Sequence, residues 1–210
     1  MLRILYTFAF CFLIFTESYS QKSLEKKWDA SAISAIEINS DAVFNVKITS
    51  MESSENIILK TQIDGETYEF VLISTSINKK KLKISTGYSP FFSFKNDKLA
   101  AHKLISIEME LIVPESMDIA VFSSLASVNA IGNFNMLRTE LYNGNCLLED
   151  FSGNAILQTR LGTISAFCEP NVAGIANSKD GKIINKLPKR AKYTVNAESI
   201  HGAIILNQIE

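Results

Sequence analysis

Cysteine, proline, glycine and histidine are all scarce in this chain of 210 residues, at 3 Cys, 4 Pro, 9 Gly and 2 His. Three cysteines are too few for a disulfide framework, and so few prolines and glycines exclude collagen-like and linker-rich architectures. Neither sign of charge is in excess: 21 Lys and Arg face 22 Asp and Glu, for a formal charge of -1. A basic nucleic-acid binder is thereby excluded, because no net positive field draws phosphates. The chain does hold 47% hydrophobic residues and 10% aromatics, too many for a disordered polymer. Its length suits one ordinary domain or two small ones.

The single long apolar run is Ile4 to Phe15, preceded by Arg3 and followed by a short polar stretch ending Ser18-Tyr19-Ser20. As a helix of 12 residues it reaches roughly 18 Å, well short of the roughly 30 Å hydrocarbon core of a bilayer. Small residues at Ser18 and Ser20 fit the subsites of a signal peptidase, so residues 1–20 read as a cleaved signal peptide ending before Gln21. Cys11 lies inside the run after the bulky Phe10, which does not fit a lipoprotein signal. Cleavage removes Arg3, Glu17 and Cys11 and leaves the charge at -1. No transmembrane segment is expected in the mature chain, which is exported to the periplasm, the outer surface or the medium. Cys146 and Cys168 remain, either as one disulfide or as two buried thiols.

After a polar stretch, 21–27, that reads as a flexible lead, the apolar runs show period two. Phe44, Val46 and Ile48 alternate with Asn45, Lys47 and Thr49. Ile57, Leu59 and Thr61 alternate with Ile58, Lys60 and Gln62, and Ile107, Met109, Leu111 and Val113 with Glu108, Glu110 and Ile112. Such alternation marks strands with one buried face. Asp64-Gly65 and Asn78-Lys79 are turn signals, and Pro114 stops the last of these strands. The best helical window, Leu24 to Ala35, is broken by Trp28-Asp29-Ala30-Ser31. Twenty-six isoleucines suit a pleated surface, and the chain reads as all-β.

Composition changes near Asp118. From Trp28 to Asp118, 22 of 91 residues are charged; from Ile119 to Asn177, 6 of 59. Met117 to Asn135, Met136 to Asn154 and Ala155 to Gly174 are segments of 19, 19 and 20 residues, each an alternating segment, a small or polar corner and an Asn/Gly-rich turn. Within them Asn143-Gly144-Asn145-Cys146, Leu161-Gly162-Thr163-Ile164 and, further on, His201-Gly202-Ala203-Ile204 align. A strand-like repeat near 20 residues predicts coils that bury their apolar faces only by stacking. The expectation is a single domain over 28–210. Its hairpin-rich part, 28–118, runs into a short right-handed β-solenoid of about three to four coils over 119–210. A plain β-sandwich is the alternative.

Taken together, the aromatic start Trp28-Asp29, the Ile-rich strand Ile33 to Asn39, the strand Phe44 to Ile48, the Lys-rich hairpin into Leu82-Lys83-Ile84-Ser85, the strand Ile107 to Val113 ending at Pro114, and the Asn/Gly/Ser-rich rungs beyond resemble a known family. It is that of the auto-transporter adhesin head domains, or GIN head domains, of exported Bacteroidetes-type proteins. The resemblance covers Trp28 to Glu210. The family usually repeats Gly-Ser-Gly at its corners, where this sequence has Ser123-Ser124, Asn143-Gly144-Asn145 and Leu161-Gly162-Thr163. The resemblance implies an exported, β-solenoid-like, adhesin-like domain with no established catalytic residues.

Residue chemistry gives little support for catalysis. Neither His102 nor His201 stands in a nucleophile motif, and no G-x-S-x-G elbow occurs. A Cys168–His201 couple on neighbouring coils is conceivable, against the plainer reading of a buried Cys and a corner His. No C-x-x-C, H-E-x-x-H or calcium-loop pattern is present, so no metal or cofactor is expected. For a glycosidase-like centre the carboxylates and bases at hand are Glu140, Glu149, Asp150, Arg138 and Arg160. Glu149 and Asp150 are expected on opposite faces of a strand, and Arg138 with Glu140 as an exposed ion pair. Tyr88, Phe91, Phe92 and Phe94 cluster around Pro90 and are candidate partner-binding anchors, or else cap an open end of the core. Lys79-Lys80-Lys81 with Lys83 reads as a solvated turn. The function expected is a non-enzymatic, adhesin-like interaction domain of the cell envelope whose partner is a polysaccharide or an envelope or surface protein. A solenoid carbohydrate-active enzyme and an envelope-stress accessory protein are the alternatives.

Overall fold

The computed structural model describes residues 21–65, 68–90 and 105–209. The signal-like leader, Phe91, Phe92, Phe94 and His102 lie outside the described residues. Seven strands make the N-terminal part: β1 (Gln21–Asp29), β2 (Ala35–Asn39), β3 (Val43–Met51), β4 (Asn56–Asp64), β5 (Val71–Asn78), β6 (Lys81–Tyr88) and β7 (Ser106–Pro114). Eight follow: β8 (Asp118–Ser123), β9 (Ser127–Leu141), β10 (Cys146–Thr159), β11 (Ile164–Cys168), β12 (Val172–Ser178), β13 (Ile183–Asn185), β14 (Tyr193–Ser199) and β15 (Ile204–Gln208). Helix among the described residues is confined to two 3₁₀ turns, Ala30–Ala32 and Tyr68–Phe70. The protein is all-β, as the period-two runs predict.

All fifteen strands join one mixed sheet that divides into two pairing paths. One runs β1-β4-β7-β3-β9-β10-β11-β15-β13, and the other β5-β6-β2-β8-β9-β10-β14-β12. β9 and β10 belong to both, because each is long enough to cross from one path to the other. The first half of β9 pairs with β3 and its second half with β8. β10 likewise pairs with β11 and then with β14. Gly132 and Gly153 lie at these crossings with φ of 102° and 141°, a backbone that a side chain disfavours. Inward residues from both paths, among them Ile38, Val46, Leu111, Val128, Leu157 and Leu206, form one continuous apolar core.

From β8 onward every pairing is parallel, whereas β1–β4, β4–β7 and β5–β6 are antiparallel. The drop in charge near Asp118 coincides with this change.

Stacking in chain order, the expectation for a solenoid, holds only as far as β11. The last pair of strands is inserted out of sequence: β14 lies between β10 and β12, and β15 between β11 and β13. The chain therefore builds β12 and β13 one slot further out and returns to fill the gap. The repeat pattern predicts coils but carries no term for their order, since any coil offers its neighbour the same backbone and the same apolar stripe.

Several local expectations change. Residues 21–27, expected to be a flexible lead, form most of β1, which pairs antiparallel with β4 along its whole length. Lys22, Leu24, Lys26 and Trp28 take the more buried positions of that strand. Lys26 Nζ donates to the Ile73 carbonyl at 3.0 Å and Thr75 Oγ1 at 3.2 Å, and Lys22 Nζ to the Val71 carbonyl at 3.4 Å. The lysines that made the segment look mobile thus satisfy backbone carbonyls of β5, a strand that among the described residues pairs with β6 alone. Phe44, expected inward with Val46 and Ile48, is 64% exposed, because a bulge between Val43 and Asn45 shifts the register. Asp64-Gly65 joins no hairpin, since β4 and β5 lie on different paths. Asn78-Lys79 does: Lys79 and Lys80, with φ of 48° and 62°, make the two-residue turn between β5 and β6.

Cys146 and Cys168 are free and buried, which removes the disulfide reading. Burial pushes each thiol up to about 12; a hydrogen bond from Thr139 Oγ1 at 3.9 Å opposes this only weakly at Cys146.

Candidate functional site

The corners of the coils share a device built from four residues. A hydroxyl opens the corner and accepts from backbone N–H groups two or three residues on. Ser40 Oγ accepts from Ala42 and Val43 at 3.2 and 3.1 Å, and Ser123 Oγ from Leu125 and Ala126 at 3.2 and 3.0 Å. Thr159 Oγ1, Ser178 Oγ and Ser199 Oγ accept from Gly162, Gly181 and Gly202 at 3.1, 3.0 and 2.8 Å. Leu141 is the exception, in the corner that ends at Gly144. The closing glycines stack into a column with no room for a side chain. A Cβ would lie 1.6 Å from the Ala126 oxygen at Gly144, and 1.8 Å from the Gly144 oxygen at Gly162. At Gly202 it would lie 1.7 Å from the Gly162 oxygen.

The stacked corners set the register of the residue just before each opening position, which is Ser40, Ser123, Leu141, Thr159, Ser178 or Ser199. Asn39, Phe122, Glu140, Gln158, Glu198 and Asn177 consequently stand side by side, one per strand, on the outward face of β2, β8, β9, β10, β14 and β12. With parallel strands spaced about 4.8 Å, the row extends about 24 Å. It forms the floor of an open groove of about 860 Å³. The rim is the first residue after each opening position, including Asp41, Tyr142, Arg160 and Lys179.

The polar side chains of the groove are internally tied. Gln158 Nε2 donates to Glu198 at 2.9 Å, and Arg138 Nε to Glu140 at 2.9 Å. The Arg160 guanidinium lies 4.9 Å from the centre of the Tyr142 ring, a cation–π contact. Asp41 accepts from both the backbone and the hydroxyl of Ser124, at 3.0 and 2.6 Å.

The residues singled out in the sequence fare unevenly. Glu140 and Arg160 line the groove, and Arg138 pairs with Glu140 as expected. Glu149 and Asp150 do not stand on opposite faces. Asp150 takes φ of 48° in a bulge of β10 and turns to solvent, so its charge avoids the core beside Phe151. Glu149 accepts from Asn129 at 2.8 Å, away from the groove. Cys168 and His201 are not brought together. Cys168 is buried beside Gln208 on β15, whereas His201 is at an exposed corner with Nδ1 2.7 Å from Asp180 Oδ2. Tyr88, 38% exposed, ends β6 and lines a separate shallow groove with Glu37 and Asp41. Lys81 and Lys83 are not merely solvated: both pair with Glu37, at 3.1 and 3.4 Å, and hold its carboxyl below the ordinary value.

Sequence reading missed Asn39, Phe122, Gln158, Asn177 and Glu198. Four of the five precede x-x-[Gly/Ala] corners opened by Ser123, Thr159, Ser178 and Ser199, but the same spacing recurs at Ser127, Ser152, Thr163 and Thr194 and is missing at Ser40, where Val43 closes the corner, so the pattern alone does not pick them out. Among the described residues no group of three or more His, Cys, Asp and Glu could hold a metal ion. Nor is any helix there long and apolar enough to cross a membrane.

No family model matches the chain, and no curated protein matches it either. Solved structures do. A "putative cell adhesion protein" from Clostridium sporogenes matches with a TM-score of 0.57 at 16% identity, over 90% of this chain and 100% of that one. A "putative adhesin" from Bacteroides fragilis matches with a TM-score of 0.35 at 12% identity, over 90% and 97% of the two chains. A "putative lipid binding protein" from Parabacteroides distasonis gives 0.28 at 12% identity, over 92% and 98%. The chain shares the fold of the clostridial protein.

Proposed function

We propose that this protein is a non-enzymatic, adhesin-like interaction domain of the cell envelope or surface, exported by its cleaved leader and of the GIN head type. The observation that carries the reading is the groove. A register-locked row of six outward side chains with a polar and aromatic rim offers a long, shallow, repetitive contact surface. The shared fold with the clostridial protein supports it at the level of fold.

Glu140 and Glu198 bear on the enzyme alternative, since they stand two strands apart, about 10 Å between Cα atoms. An acid/base pair needs one carboxyl desolvated and free to exchange its proton. Here Glu140 is 39% exposed and bound by Arg138, and Glu198 is bound by Gln158. The arrangement favours recognition over turnover.

Purified, labelled protein is expected to co-sediment with envelope fractions, and the double variant Tyr142→Ala, Gln158→Leu to lose most of that retention. Equal retention of the double variant, or none by the parent, would refute the reading.

A further inference from the structure

We propose that the groove binds an uncharged, linear, β-linked polysaccharide laid across the strands. This rests on the interaction-domain reading and names its ligand class.

Spacing is the first argument. The floor offers one side chain per strand at about 4.8 Å, close to the advance of one pyranose along an extended chain. The six positions from Asn39 to Asn177 therefore match about five sugar residues in step.

Chemistry is the second. Asn39, Gln158 and Asn177 each both donate and accept, and Glu140 and Glu198 accept. Sugar hydroxyls do both, so such a row satisfies them without a net charge on the ligand. Gln158 and Glu198 already hold each other at 2.9 Å, which limits the ordering that binding must impose.

Stacking is the third. Tyr142 is 45% exposed at the rim. Arg160 covers one side of its ring, while the neighbour on its other side in the column is the small Ser124, which leaves ring surface for the apolar face of a sugar. Phe122 adds a half-buried ring on the floor.

Charge is the fourth. Asp41, Glu140 and Glu198 are matched by Arg160, Lys179 and the Arg138 bound to Glu140. No single sign dominates, so the groove has no field to steer a polyanion.

The experiment uses affinity electrophoresis in gels containing hydroxyethylcellulose, mixed-linkage β-glucan or polygalacturonate, followed by calorimetry with β-linked oligosaccharides of two to six residues. The expected result is retardation by the neutral chains, insensitive to salt, with affinity rising until about five residues and then level. Tyr142→Ala should weaken binding at least about 5-fold, and Tyr142→Phe should restore it. Far-ultraviolet circular dichroism confirms that each variant is folded. Preference for polygalacturonate with loss at high salt would overturn the ligand class. So would neutral binding that Tyr142→Ala leaves unchanged. Retention on envelopes without any neutral binding would overturn the ligand class and leave the interaction reading standing, whereas absence of both would overturn both.

Discussion

Replacing Gly162 by alanine tests whether the stacked corners hold the coils together. The added Cβ would be 1.8 Å from the Gly144 oxygen and 2.5 Å from its carbonyl carbon. Both are backbone atoms in a hydrogen-bonded neighbour, so no side chain can rotate away. Relief requires the two corners to separate. That breaks the bond from Thr159 Oγ1 to the Gly144 carbonyl at 3.0 Å, which crosses between the corners. Overpacking costs about 1–3 kcal/mol and the lost hydrogen bond about 1 kcal/mol, so the expected destabilisation is about 2–4 kcal/mol. At about 2–4 °C per kcal/mol for a chain of this size, the melting temperature should fall by roughly 4–16 °C. Urea unfolding followed by circular dichroism measures the change. Gly87→Ala is the control: a Cβ there meets nothing within 4 Å, and the substitution should be neutral or stabilise by up to about 1 kcal/mol. A Gly162→Ala loss below about 1 kcal/mol, or one equal to the Gly87→Ala effect, would refute the close-approach argument.

The remaining expectations concern the hairpin, the thiols and the last coil. Lys80→Gly should raise stability by about 1 kcal/mol in the same urea assay, because Lys80 sits at φ of 62° in a two-residue turn; a loss of stability would contradict the turn assignment. Both thiols have folded values raised to about 12 from the ordinary 9.0. Their contribution is therefore complete below pH 9 and is lost as the pH climbs toward 12, since the unfolded chain sheds those protons first. Denaturation midpoints of the parent should fall over that window more steeply than those of the Cys146→Ala, Cys168→Ala double variant, and parallel curves would refute the assignment. Truncation after Ala191 removes β14 and β15 and leaves β12 and β13 without the strands they pair with. Limited proteolysis should then cut between Val172 and Asn185 in the truncated protein before it cuts in the parent; unchanged resistance would mean that β12 and β13 close the gap by themselves.

Much of the fold is legible in the sequence where one physical signal dominates. β4 and β7 follow their alternation because each has one dry face, and Ile57, Leu59, Met109 and Leu111 are buried as predicted. Aligning Asn143-Gly144, Leu161-Gly162 and His201-Gly202 as equivalent corners anticipates the glycine column. β1 escaped because edge lysines that bond across to β5 look, in one dimension, like a solvated lead. Phe44 escaped because a single bulged residue inverts the faces of the positions before it. The groove escaped because its members are ordinary polar residues from six strands, and the hydroxyl that positions them belongs to the following residue.

The all-β class is legible in the chain without its tertiary structure. Period-two hydrophobicity and a repeat near 20 residues demand strands that stack. Tertiary structure decided the order of the coils, with β14 and β15 slotted inside β12 and β13, and thereby which side chains meet. Glu198 stands beside Gln158, rather than Asn177, because the last coil fills a gap the chain had left. The physical reason is that backbone pairing between parallel coils is the same whichever coil arrives. Local sequence therefore specifies the coil, and only the assembled stack specifies its neighbours.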